Sequence, residues 1–263
     1  MGRTLLFRLL GHFGLLLHGD PLVFDRWRWL KRRLPGTRND EKLLDCGCGT
    51  GAFGIGAAKR GYDAMGISKD AAAIGRAQDR ADHLVPGRAR FEVQDIRDFA
   101  ERAEFTETFE FVISLEVIEH LADDRAMMRH MARCLKPGGR LLLTTPYYHY
   151  MAITPDEEGP RSEVEDENLD WHVRRGYTPA MLAELCEDAG LVIEEVSYCS
   201  GVISQKLTTV LRLFTRLHYL VGWALTLPFR ILPPLFDRVA TPLFGWHYYS
   251  ICIEAYKPRF PKE

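Results

Sequence analysis

The chain has no CxxC pair, the spacing that marks zinc ribbons and thiol–disulfide catalysts. Its six cysteines stand at 46, 48, 134, 186, 199 and 252. Cys46 and Cys48 are too close together for an easy bridge, and no second ligand pair equips them for a soft metal. They read as reduced structural thiols, which suits a cytoplasmic protein. No charge-free stretch reaches the ~18 residues that cross a bilayer as a helix. The apolar N-terminus superficially resembles a signal peptide, but Arg8 and His12 interrupt it and no small-residue cleavage site follows. Residues 3–18 read instead as an amphipathic helix. Charge of one sign is not in surplus either: 34 Lys and Arg against 36 Asp and Glu give a net charge of -2. The chain therefore has no general attraction to nucleic acid. It also has no internal repeat and no low-complexity tract.

What is present is an ordinary globular composition, 46% hydrophobic and 27% charged over 263 residues. The charge is uneven. Residues 1–38 carry Arg26, Arg28, Lys31, Arg32 and Arg33, whereas 156–170 is acidic. From Lys42 onward, strand-like and helix-like segments alternate, as a doubly wound sheet requires. Strands are expected at 42–45, 64–67, 91–93, 111–115, 141–145, 192–196 and 249–255. An alanine-rich helix over 71–81 has Asp70 as its N-cap. A helix over 122–135 is stopped by Pro137-Gly138-Gly139. Thr178-Pro179 opens another, with a capping hydroxyl and then proline at the first helical position, and Gly190 ends it. The acidic segment reads as a long loop over the mouth of a site.

The sharpest local signal is Leu43-Leu44-Asp45-Cys46-Gly47-Cys48-Gly49-Thr50-Gly51. A buried strand runs into an acid and then into glycines at alternate positions. Such glycines let the backbone turn tightly and let a ligand approach the main chain where a Cβ would obstruct it. Asp45 can accept from a ligand ammonium and would be misplaced against a pyrophosphate. Gly49 to Gly54 also spells GxGxxG, so an NAD-dependent oxidoreductase of Rossmann fold is a rival. That reading needs an acid at the end of the second strand to hold a ribose, and Ser68 stands there. A non-catalytic cofactor-binding protein is a second rival.

Four more segments accompany the glycine loop in order: Gly66-Ile67-Ser68, Gln94-Asp95-Ile96, the run from Phe109 to Leu121, and Leu135-Lys136-Pro137-Gly138-Gly139-Arg140-Leu141. Over roughly residues 40–200 the series resembles the class I S-adenosylmethionine-dependent methyltransferases, and specifically the ubiquinone-pathway O-methyltransferase type. The resemblance implies an α/β, doubly wound Rossmann-like seven-stranded sheet, its last strand antiparallel, to which this chain adds a helical insertion between the last two strands, a segment unusually long for a loop. It implies that Gly47, Gly49 and Gly51 pass under the methionine part of S-adenosyl-L-methionine while Asp45 places its ammonium. Asp95 would accept from the adenine amino group, Ile96 would pack on the ring, and Ser114 would lie near the methionyl portion. Ser68 departs from the Asp or Glu of most members, offering a ribose one weaker contact. Cyclopropane-forming and sterol methyltransferases also tend to use a hydroxyl residue here.

Glu116, Glu119 and His120 share one face if their segment is helical, and match a Glu-x-x-Glu-His run. With His172 they form a candidate Mg²⁺ or Mn²⁺ site. The alternative is that the Glu and His bond the cofactor loop or backbone, as in metal-free relatives. His120 and His172 are also candidate general bases. Tyr147, Tyr148 and His149 follow the fifth strand as a substrate clamp, or as packing under the acidic loop. Residues 201–246 place Leu207, Val210, Leu211, Phe214, Leu217, Leu220 and Val221 at helical spacing beside Arg212 and Arg216. This reads as an interfacial helix, with 3–18 as its companion at a membrane surface, or as a lid or dimer surface. The expected organisation is an N-terminal helical segment (1–38), a methyltransferase core (39–200), the insertion (201–246) and a final strand with its tail (247–263). The expected activity is O-methylation of a small or lipid-like acceptor by a cytoplasmic, membrane-peripheral enzyme.

Overall fold

The computed structural model describes residues 10–99, 102–153, 173–216, 218–230 and 232–259. The acidic segment 156–170, His172, Leu217 and residues 3–9 of the expected N-terminal helix lie outside these. Seven strands form one sheet: β1 (Lys42–Cys46), β2 (Asp63–Ser68), β3 (Ala89–Val93), β4 (Phe109–Leu115), β5 (Leu135–Pro146), β6 (Val192–Cys199) and β7 (Ser250–Tyr256). Their spatial order is β3-β2-β1-β4-β5-β7-β6. The first five pair in parallel, and β7 runs antiparallel between β5 and β6. The expected architecture is the one found.

Side chains alternate between the two faces with the strand period. On one face Leu44, Val112, Leu141 and Leu143 meet the methionines of helix α5 (Asp124–Cys134) and Leu182 and Leu185 of α6 (Pro179–Asp188). On the other, Leu43, Phe111, Ile113 and Leu142 pack against Trp27, Trp29 and Leu30 of α2 (Pro21–Arg33). Short helix α1 (His12–His18) precedes α2. Helices α3 (Ala52–Ala58) and α4 (Ala71–Leu84) cover β1 to β3. Capping chemistry sets the helix starts: Asp70 accepts from Ala73 N–H at 2.9 Å, and Thr178 from Met181 N–H at 3.2 Å.

The residues expected to stop the helix over 122–135 belong to a strand. Pro137-Gly138-Gly139 lies inside β5, which begins at Leu135 directly after α5. A register shift against β4 accommodates it. A Cβ at Gly139 would sit 3.1 Å from the carbonyl oxygens of Phe109 and Glu110, so glycine here permits close strand approach. The Gly138 N–H donates to Lys257 O at 2.7 Å, extending the pairing past β7.

The insertion consists of α7 (Val202–Thr215), α8 (Tyr219–Thr226), a single 3₁₀ turn (Leu227–Phe229) and α9 (Pro233–Leu243). It docks on α2 largely through polar groups. Ser204 is hydrogen-bonded to Asp25 and Asp237, Thr208 donates to Asp20 at 2.9 Å, and Arg212 pairs with Asp20 at 3.3 Å. The expected apolar face of α7 is therefore divided: Leu211 is buried, whereas Val210 is exposed and Arg212 is held by α2.

Candidate functional site

The register places the carboxyl ends of β1, β2 and β4 side by side, with Asp45 opposite Gly66 and Ile113. Beyond β1 the chain turns through Gly47, Gly49 and Gly51, with φ of +80°, +51° and +81°. L side chains rarely adopt this region. Gly47 and Cys48 both donate to Ile67 O, at 3.0 and 3.1 Å, which pins the loop to β2. Gly51 is the N-cap of α3. A Cβ on Gly47 would stand 2.5 Å from Val117 Cγ2, and one on Gly51 2.9 Å from Ala77 and Phe91. At Gly49 it would meet nothing within 4 Å. Gly49 is the loop position that opens to space.

Beneath the loop Asp45 is 1% exposed and accepts from Gly54 N–H at 3.0 Å. Burial pushes its carboxyl up to about 7, against the opposing pull of that N–H.

A cleft of about 470 Å³ opens next to the loop. Gly47, Ser68, Asp95, Ile96, Glu116 and His120 all line it, so six of the sequence-derived positions converge. Asp45, Gly49, Gly51 and Ser114 are not among its lining residues. Ser114 is fully buried, and its Oγ has no hydrogen-bond partner among the described residues. Among the lining residues that the sequence did not single out are Arg97 and His130. Arg97 donates through its backbone N–H to Asp95 at 2.9 Å and through its guanidinium at 2.7 Å. These hydrogen bonds hold the Asp95 carboxyl below its usual range. His130 reaches the cleft from α5, with burial lowering its affinity for a proton. Ser68 Oγ accepts from Asp70 N–H at 3.3 Å.

The Glu116–Glu119–His120 group does not form the expected helical face. Only Ile118–His120 is helical, as one 3₁₀ turn, and Glu116 has φ +56°. This conformation turns Glu116 toward the sheet and α2. There it accepts from Thr144 Oγ1 at 2.8 Å and Ser250 Oγ at 2.9 Å, and pairs with Arg26 at 3.1 Å. Glu119 is fully buried and accepts from Thr145 Oγ1 at 3.0 Å. Burial, then the nearby Glu116, raises its carboxyl far above the usual range. His120 is partly exposed, 4.0 Å from Glu119 Oε1. Glu116 is committed to Arg26 and Glu119 to Thr145, and His172, the fourth member of the expected Mg²⁺ or Mn²⁺ set, lies outside the described residues. Among the described residues no group of three His, Cys, Asp or Glu side chains is arranged to hold a metal.

Tyr147, Tyr148 and His149 leave the carboxyl end of β5, outside the lining of the cleft. Tyr147 and His149 rings lie 5.1 Å apart, and Tyr198 and His247 join them from β6 and the segment before β7, at 5.1 and 6.2 Å from Tyr147. Neither addition was legible in the sequence, because topology alone brings them there. Tyr150 packs with Leu22, Ile153 and Tyr249.

A methyltransferase-domain family model matches residues 22–196, more than half of the chain. A ubiquinone biosynthesis O-methyltransferase of Xanthomonas oryzae pv. oryzae is 30% identical over 162 residues, 59% of this chain and 64% of that protein. The match thus spans just under two thirds of that relative's length. Among solved structures, geranyl diphosphate C-methyltransferase from Streptomyces coelicolor A3(2) superposes with a TM-score of 0.59 at 18% identity, covering 88% of this chain and 76% of that one. The cyclase SpnF superposes with a TM-score of 0.60 at 20% identity, covering 89% and 80%. These two likenesses concern the fold alone. Together with the family match and the loop–cleft geometry, the sheet order identifies the chain as a member of the class I S-adenosylmethionine-dependent methyltransferase superfamily.

Proposed function

We propose that the chain transfers a methyl group from S-adenosylmethionine to an oxygen of a small or lipid-like acceptor. The observation that carries this reading is the convergence of Ser68, Asp95 and Ile96 on one cleft beside a glycine loop that is open at Gly49. When bound, the cofactor supplies an electrophilic sulfonium methyl, so the protein's tasks are alignment and proton removal. Gly49 leaves the main chain approachable. Asp45, when ionised, accepts from an ammonium, and Ser114 offers a buried hydroxyl with no hydrogen-bond partner among the described residues. Asp95 keeps its carboxylate ionised beside Arg97 and accepts from an amino group, while Ile96 presents an apolar surface to a flat ring. Ser68 supplies one hydroxyl contact where a carboxylate would make two.

His120 is the described general-base candidate, since it lines the cleft and an imidazole titrates near neutrality. His172 remains the other. Tyr147, Tyr148 and His149, extended by Tyr198 and His247, form an aromatic wall suited to a flat or apolar acceptor. Oxygen is preferred as the acceptor atom because the matched relative named above is an O-methyltransferase of ubiquinone biosynthesis.

The test is incubation of the purified chain with methyl-labelled S-adenosylmethionine and fractionated lipid, phenolic, sugar and RNA extracts. Label is expected in a lipid or phenolic fraction, as an alkali-stable ether. Label confined to RNA or sugar, or to a carbon or nitrogen position, would contradict the acceptor assignment.

A further inference from the structure

In the insertion, α9 and the end of α8 turn polar groups inward and apolar groups outward. Toward the body of the protein, Asp237 and Thr241 of α9, Thr226 of α8 and Ser204 and Thr208 of α7 are buried. Arg230 is 1% exposed and donates to the carbonyls of Leu17 and Gly19. Gly201 and Val202 N–H donate to Asp237 and Thr241 at 3.1 and 3.0 Å. Toward solvent, α9 presents Leu235, Phe236, Val239 and Leu243 within one narrow arc of the helix, followed by Phe244. Val239 is 68% exposed and Leu243 78%. Val221, Leu225 and Phe229 repeat the pattern along α8 and the turn after it. Scattered exposed leucines need no explanation, but an aligned apolar face on a helix with a polar inner side does.

Cations adjoin this face. Arg28 and Arg32 of α2 line two clefts at once. One, of about 850 Å³, has Lys31, Lys59 and Arg60 around an apolar wall that includes Phe13 and Trp27, and no acid lines it. The other, of about 400 Å³, reaches Arg238 on α9 itself. Its acids are engaged: Asp25 and Asp237 are buried around Ser204, and Glu195 pairs with Arg33. The cations flagged by sequence spacing are not these, since Arg212 is paired with Asp20.

We propose that the α9 face, with the Arg28–Lys31–Arg32–Arg238 stripe beside it, docks the protein on an anionic lipid surface. Apolar side chains enter the headgroup boundary while the cations meet lipid phosphates, the combination that gives reversible interfacial binding. A second copy of the chain fits the same face less well. A two-fold contact would bring the same cationic stripe on both subunits toward one interface, where like charges repel. The inference does not rest on methyl transfer. It does supply a route by which a lipid-like acceptor reaches the site.

The experiment is cosedimentation of the full chain with vesicles of phosphatidylcholine alone or mixed with phosphatidylglycerol, at low and high salt. Binding is expected to the mixed vesicles, weakening with salt. Lys31→Gln with Arg32→Gln and Arg238→Gln should weaken it about a hundredfold, at about fivefold for each cation near an anionic surface. Val239→Asp with Leu243→Asp should weaken it at least about tenfold through lost apolar burial. Both positions are exposed, and an unchanged melting temperature verifies that the variants fold. Protein that stays in the supernatant with mixed vesicles at low salt overturns the proposal. So does binding that neither variant set alters. A concentration-dependent dimer that Val239→Asp with Leu243→Asp dissociates, without vesicle binding, would assign the face to a second copy instead. Cofactor binding is measured separately, so failure here leaves the methyltransferase reading intact.

Discussion

At Gly49 an added Cβ would meet nothing within 4 Å, whereas at Gly51 it would collide with Ala77 and Phe91 at 2.9 Å. The sequence presents both as members of one glycine run, yet their costs differ. Gly49→Ala should lose only the local strain of a positive φ, about 1 kcal/mol, while obstructing a ligand that approaches the loop. Asp45 adds a pH signature to the same titration. Its folded carboxyl titrates near 7, raised by burial from 3.8. Between pH ~4 and ~7 the folded state therefore holds this proton better than the unfolded chain, and the group's contribution to stability declines as pH rises through that window. A ligand ammonium has the opposite preference and favours the ionised form. S-adenosylhomocysteine should accordingly bind more weakly at pH 6 than at pH 8, by up to about tenfold. Asp45→Asn should flatten this dependence, and Gly49→Ala should lower affinity at both pH values. Calorimetric titration of the three proteins checks this. A pH-independent affinity in the unsubstituted chain would separate Asp45 from the ammonium.

Helix α2 is the element through which the N-terminal segment reaches the site, because Arg26 crosses to Glu116 at 3.1 Å with both side chains 12% exposed. Removing one partner of such a pair leaves the other charge poorly solvated. Arg26→Met should destabilise by about 3 kcal/mol, and adding Glu116→Gln should recover part of that loss. Urea unfolding of the single and double variants measures the coupling. Additive losses would show that the pair is not a unit. This contact was not legible in the sequence, where the two residues are far apart and Arg26 is one of several arginines. The strands, the Asp70 and Thr178 caps and the glycine loop were legible because each rests on alternation or turn chemistry within a few residues. Local rules failed where a partner from elsewhere decides the outcome. Pairing with β4 and Lys257 draws Pro137-Gly138-Gly139 into β5, and Arg26, Thr144 and Ser250 turn Glu116 away from its neighbours. The inward polar side of α7 likewise depends on Asp25 of α2 and on Asp20 at its N-cap, and that of α9 on the N-terminus of α7.

At the scale of the whole molecule, sheet order and parallel register bring positions more than seventy residues apart in the sequence, Gly47 and His120, to one cleft at the carboxyl ends of the strands. Open α/β sheets bind ligands at this place. The helical insertion adds a differently constructed outer side, where α9 is polar within and apolar without. On the reading proposed above, the cleft and glycine loop hold S-adenosylmethionine and its product. Titration of the full chain with S-adenosylhomocysteine, with NAD as comparator, tests it most directly. We expect saturable heat with the first and none with the second. The melting temperature should rise, because ligand at a hundredfold excess over Kd stabilises the folded state by about 2.7 kcal/mol. NAD binding with no heat and no thermal shift from S-adenosylhomocysteine would assign the cleft to a dinucleotide instead.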